Sequence, residues 1–189
     1  MPPKAKFSKE EIVECALQLV RREGFAALTA RTLGEALGTS SRPIFTAYQS
    51  MAELQHDVLV AAYALYHQHI TKENDTGKYP PYKSSGMAYI RFAMEEKELF
   101  KMLFMRERSS EEISADLGDP FIIEQILKAN DFTREQAEQL YLSMWIYVHG
   151  IATMLLTAYF SLTMEEISEQ LTLAYLSIRE HMIRGGGAT

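Results

Sequence analysis

Cysteine is nearly absent: Cys15 stands alone among 189 residues. That excludes an internal disulfide framework and any multi-cysteine metal site, and it suits a reducing compartment. Basic charge is also scarce. With 19 Lys and Arg against 25 Asp and Glu, the formal net charge is −6, whereas nucleic-acid binders are usually basic. Catalytic motifs are missing as well. The sequence has no nucleophile elbow, phosphate-cradling glycine loop or metal-ligand pair, so neither a catalytic residue nor a cofactor is expected. His56, His67 and His69 lie near Glu53 and Asp57 but make a poor metal site. His67 and His69, two apart on a helix, face different ways, and His56 sits about three turns before His67. The opening stretch Met1–Glu11 is polar and lacks the apolar core of a signal peptide, so a cytoplasmic location is expected.

One long uncharged run does occur. Leu140 to Met164 contains no Asp, Glu, Lys or Arg and is long enough to span a bilayer. Its His149, its Ser and Thr residues and its acidic flanks Glu138, Glu165 and Glu166 argue for a buried central helix, with no membrane partner. An apolar share of 47% and a charged share of 23% describe a globular chain able to bury a real core. The acidity is uneven. Met1 to Leu54 carries seven basic and six acidic residues, including Lys4, Lys6 and Lys9 in a short basic arm, so the excess of acid lies downstream.

Helix signals run the length of the chain. Ser8 with Glu11 forms a capping box, Phe7 can staple on Ile12, and Gly24 supplies a left-handed stop, so a first helix is predicted over Lys9–Glu23. A second helix starts at Thr29, carries Leu33, Ala36 and Leu37 on one face, and ends at Gly38. A third begins near Ser41 with Pro43 in its first turn. Two short helices around a glycine turn form a helix-turn-helix pattern. A longer helix is predicted from about Ser50 to Thr71, then a loop over residues 74–86, rich in Pro, Gly and Ser. Further helices are expected at about Ser85–Glu95, Glu98–Arg108 and Pro120–Ala129, the last capped by Asp119. Thr133-Arg134-Glu135-Gln136 and Thr163-Met164-Glu165-Glu166 are capping boxes that open two long final helices. No segment alternates with period two and no repeat is visible, so an all-α fold of about nine helices is expected.

Thr29 to Leu54 resembles the helix-turn-helix of the TetR family of bacterial transcriptional regulators. Thr29 and Arg31 open the positioning helix, Gly38 marks the turn and Ser40 enters the recognition helix. Ile44, Phe45 and Tyr48 stand where the family places an aliphatic and two aromatic residues, and Ser50, Glu53 and Leu54 match the start of the next helix. A second resemblance, at Trp145, His149 and Gly150, is to a group of TetR-like ligand-binding domains with a Trp-His-Gly signature; Tyr89 to Ala93 ahead of Leu99-Phe100 is similar to the segment preceding it. The chain departs from the family at Phe45, Ala47 and Met51, where Tyr, His and Lys that contact phosphates are frequent. Each replacement removes a hydrogen-bond donor or a charge.

The resemblance implies residues 1–50 as a DNA-binding domain and 51–189 as a helical ligand-binding and dimerisation domain. Ser41, Arg42, Pro43 and Thr46 are best placed to reach base edges, Arg42 foremost because it can bond guanine bidentately. Thr29, Arg31, Ser40, Tyr48, Gln49 and Ser50, with Lys4 and Lys6 in the arm, would grip phosphates or position the reading helix. Tyr89, Phe92, Met102, Trp145 and His149 are expected to line a small-molecule site. The last two helices would form a four-helix bundle in a homodimer, with Gly150, Ala152 and Ala158 allowing close approach and Leu171, Ala174, Tyr175 and Ile178 as an apolar stripe. The partners implied are a near-palindromic operator DNA, an unidentified effector and a second copy of the chain, which reads as a ligand-responsive repressor. The competing reading is a helical small-molecule carrier or partner-binding protein without DNA binding.

Overall fold

The computed structural model describes residues 7–107 and 120–185. Nine α-helices occur among the described residues: α1 (Lys9–Glu23), α2 (Ala30–Ala36), α3 (Arg42–Ala47), α4 (Met51–Asp75), α5 (Pro81–Glu95), α6 (Lys97–Phe104), α7 (Pro120–Ala129), α8 (Arg134–Leu156) and α9 (Met164–Gly185). A 3₁₀ turn, Phe25–Ala27, links α1 to α2. The all-α expectation holds. Lys4, Lys6 and the expected cap Asp119 lie outside the described residues.

The chain forms two compact units. The first comprises Met1–Gln68 and Glu96–Arg106; the second comprises His69–Glu95 and Glu107–Thr189. The first therefore extends past residue 50 to include most of α4, and the chain returns to it with α6.

In the first unit, α1 packs on α2 and α6. Its start is fixed as the sequence predicts: the Glu11 amide donates to Ser8 Oγ at 3.2 Å and the Ser8 amide to Glu11 Oε2 at 2.8 Å. Ile12, Ala16, Leu19 and Val20 are buried at helical spacing, with Leu28, Leu33, Ile44, Leu54, Val58, Leu99 and Leu103 completing the core. Gly24 has the positive φ expected of a stop, but its ψ of 164° is extended rather than left-handed helical. Only glycine adopts that region readily, and a Cβ there would come within 3.0 Å of Glu98 Oε2. Arg21 ties α1 to the head of α6 through a bidentate pair with Glu96, at 2.8 and 2.7 Å.

In the second unit α8 is central, packed by α5, α7 and α9. Ala137, Leu140, Met144, Ile151, Ala152 and Leu156 are its buried residues. By length and composition α8 could cross a membrane, but here it ends at Leu156, shortly before Ala158 turns to a φ of 54°. The predicted loop over 74–86 is shorter than expected, because α5 begins at Pro81. Pro81 suits a first helical turn. Ser84 Oγ donates to Tyr79 O, Ser85 Oγ donates to Pro81 O, each at 3.2 Å, and Ser84 is buried. A Cβ on Gly86 would meet Val148 and Leu171 at 3.4 and 3.5 Å, so a residue read as loop punctuation lets α5 lie close to α8 and α9. Both late capping boxes form: the Gln136 amide donates to Thr133 Oγ1 and the Glu166 amide to Thr163 Oγ1. At the end of α7, buried Asn130 donates to Ile126 O and to the Tyr175 hydroxyl, both at 2.9 Å, and accepts from Arg179.

Candidate nucleic-acid interface

The α2–turn–α3 segment is held by local hydrogen bonds at both ends of α2. Thr29 caps α2: the Thr32 amide donates to Thr29 Oγ1 at 3.2 Å, and the Thr29 amide donates to Thr32 Oγ1 at 3.1 Å. Gly38 has a φ of 66°. Its amide donates to Glu35 O at 3.0 Å, and the Thr39 amide donates to Gly34 O at 2.9 Å. This pair of bonds closes the helix end and turns the chain sharply toward α3. Gly34 is the residue that sequence reasoning missed. A Cβ on it would fall 2.9 Å from the carbonyl carbon of Ser40 and 3.0 Å from the Ser41 nitrogen, both backbone atoms. The signal available was an isolated glycine inside a short helical pattern, which often marks close backbone approach.

On α3, Ile44 is the buried anchor, and Arg42, Phe45 and Thr46 are exposed, with Ser41 and Pro43 half-buried. Thr46 Oγ1 donates to Arg42 O at 3.2 Å. Thr29, Arg31, Ser40, Gln49 and Ser50 are also exposed. Ser50 caps α4, accepting from the Glu53 amide at 3.2 Å, while the Gln49 amide donates to Glu53 Oε2 at 2.8 Å. Lys9 of the expected basic arm is instead the first residue of α1, 2.8 Å from Glu53 Oε1. That bond raises the Lys9 pKa and lowers that of Glu53.

Lys9, Arg21, Arg22 and Arg31 pair with Glu53, Glu96, Glu23 and Glu35. In this unit Lys101 pairs with Glu98, and exposed Lys97, like Arg42, has no ion pair among the described residues. The Arg42 guanidinium is thus available at the exposed start of α3. Tyr48 departs from its expected place at a phosphate. It is only 2% exposed, Lys9 Nζ lies 4.4 Å from its ring centroid, and its enclosed hydroxyl lacks a well-formed hydrogen bond. Burial, with the Asp57 carboxylate nearby, pushes its pKa up to about 12. A group enclosed in this way anchors α3; it cannot donate to a phosphate from this position.

Of the expected ligand-lining residues, the second unit brings three together. The Tyr89 hydroxyl lies 2.7 Å from His149 Nδ1, and the Trp145 ring stacks on the imidazole with centroids 5.0 Å apart and planes 4° from parallel. Desolvation lowers the His149 pKa, which favours neutral imidazole. Phe92 is fully buried with its ring edge-on to His69. Met102 is buried in α6 of the first unit.

Residues 83–175 match the model of the tetracyclin repressor-like C-terminal domain family. Together with the fold, that match supports the TetR family. A TetR-like transcriptional regulator from Rhodococcus sp. RHA1 has a similar fold, with a TM-score of 0.67 at 11% identity over 100% of both chains. The superantigen PfiT is similar over 90% of this chain and 97% of its own, with a TM-score of 0.58 at 18% identity. No curated protein sequence matches the chain. At such identities the two solved structures speak for a TetR-like fold alone.

Proposed function

We propose that this TetR-like protein is a cytoplasmic, homodimeric, ligand-responsive repressor that reads a near-palindromic operator through α3. One observation carries the reading: an acidic chain pairs its other described basic side chains from Lys9 to Arg31 with carboxylates and leaves Arg42 unpaired on the first turn of a helix-turn-helix. An exposed guanidinium there is suited to the O6 and N7 edge of guanine. Thr29, Arg31, Ser40, Gln49, Ser50 and the arm residues Lys4 and Lys6 would supply phosphate contacts and register, with Ser41, Pro43 and Thr46 beside the bases.

A helix as short as α3 spans few base pairs, so selectivity requires two heads at fixed spacing. An apolar face on the last two helices supports the dimer. Ile146 is 60% exposed and Leu142 43% on α8, while Leu173 and Leu176 on α9 are 61% and 53% exposed. The side of Gly150 on which a Cβ would stand is open. The Trp-His-Gly grouping fits Trp145, His149 and Gly150, with Tyr89 and His149 positioned to orient a polar group of the effector beside the Trp145 ring. Effector binding would favour one spacing of the heads over another, a population shift. No catalytic role is proposed.

Selection from a random duplex pool tests the reading. The expected result is a two-fold symmetric consensus bound more weakly as salt rises. Enrichment of no sequence would overturn it.

A further inference from the structure

The outward face of α3 holds a side chain that the reading above leaves without a role. Ile44 fixes the buried side of this short helix, and 3.6 residues per turn carry Arg42 and Thr46 round to the opposite side and Phe45 to the flank next to Arg42, where all three are exposed. Phe45 keeps 49% of its surface in water. Single exposed apolar residues are common on proteins; this one shares its face with the unpaired Arg42. Exposed Thr46 stands beside them, with its hydroxyl engaged by Arg42 O. The face is therefore one hydrogen-bonding cation beside an apolar ring.

A phenyl ring cannot donate to a phosphate. The apolar group that a base presents in the major groove is the thymine C5 methyl. Residues three apart on a helix stand about 5–6 Å apart, which spans one to two base steps at about 3.4 Å each. We propose that Phe45 is a specificity-determining residue that packs its ring on a thymine methyl one or two base pairs from the guanine read by Arg42. This inference rests on the DNA-binding reading and adds a term to it: each half-site carries a guanine and a nearby thymine recognised by its methyl.

Replacing thymine with deoxyuridine removes that methyl and leaves the hydrogen-bonding edge intact. In a duplex selected by the wild-type protein, thymines would be replaced one symmetric pair at a time and binding followed by fluorescence anisotropy. Burial of one methyl-sized group corresponds to about fourfold in affinity, so a symmetric pair at the contacted position should cost on the order of tenfold. Phe45→Ala, with helical content checked by circular dichroism, should bind the thymine and deoxyuridine duplexes equally, whereas Phe45→Leu should retain most of the discrimination. Indifference of the wild type to deoxyuridine throughout the half-site would overturn the proposal, as would an undiminished penalty in Phe45→Ala. Failure of selection to yield any preferred sequence would instead remove the DNA-binding reading, and this inference with it.

Discussion

The two units of this protein place their distinctive chemistry on opposite sides of their own surfaces. In the first, Arg42, Phe45 and Thr46 face outward from a helix anchored by Ile44. In the second, buried Tyr89 meets half-buried His149, on which half-buried Trp145 stacks. An outward polar group has no packing task, but exposed charge is ordinary on a protein surface, so Arg42 points to recognition only through its place on the first turn of a helix-turn-helix reading helix. An inward aromatic serves core and binding site with the same atoms, and only its polar handle, here the Tyr89–His149 contact, separates the two roles.

Breaking the apolar face of α8 and α9 should have the largest effect. Ile146→Glu combined with Leu176→Glu places charges where a second copy is proposed to pack. The expected outcome is a monomer by light scattering, with the affinity for a two-fold site lowered about a hundredfold or more through lost bivalency. A dimer that persists with undiminished affinity would show that the two heads are joined elsewhere. Gly34→Ala comes next. Its methyl would press on the Ser40 and Ser41 backbone, and overpacking of this kind costs about 1–3 kcal/mol. Thermal melts should report that loss, and DNA affinity should fall further because α3 is displaced from α2.

His149 distinguishes the second unit by pH. Desolvation holds its folded pKa below the ordinary 6.5, so on acidification the unfolded chain takes up a proton before the folded one does. Stability is full above about pH 6.5 and falls as the pH drops toward the lowered folded pKa. His149→Gln should flatten that dependence in melts recorded between pH 5 and 7.5, and an unchanged slope would place the acid sensitivity in another group. The smallest effect is expected from Tyr48→Phe. Removing a buried hydroxyl without a good partner should leave stability unchanged or raise it by up to about 1 kcal/mol, with DNA affinity intact. A marked fall in affinity would return Tyr48 to the phosphate contact suggested by resemblance.

Local chemistry was the legible part of the fold. Ser8, Thr133 and Thr163 announce helix starts because their caps are satisfied within three residues, and Gly38 announces a helix end because the turn itself needs positive φ. Residues 81–86 were misread as loop because Pro, Ser and Gly are weak helix formers in isolation. What favours the helix there is partly nonlocal, the approach of Val148 and Leu171 to Gly86. The burial of Tyr48, where the resemblance implies a phosphate contact, was hidden for a related reason. Its position in the motif was readable, but its burial beneath Lys9 depends on how α1 packs against the end of α3. The two similar folds belong to a TetR-like transcriptional regulator and to a superantigen, which is why the case for DNA reading has to rest on the side chains of α3 rather than on architecture.

Arg42 is therefore the residue on which the account can be tested most directly. Wild-type protein and Arg42→Ala would be titrated against the selected duplex and a scrambled one at two salt concentrations. The account predicts selective, salt-weakened binding by the wild type and a loss of about 1–3 kcal/mol per half-site in Arg42→Ala, with the residual affinity no longer distinguishing the two duplexes at the guanine position. Equal selectivity in the wild type and Arg42→Ala would contradict it.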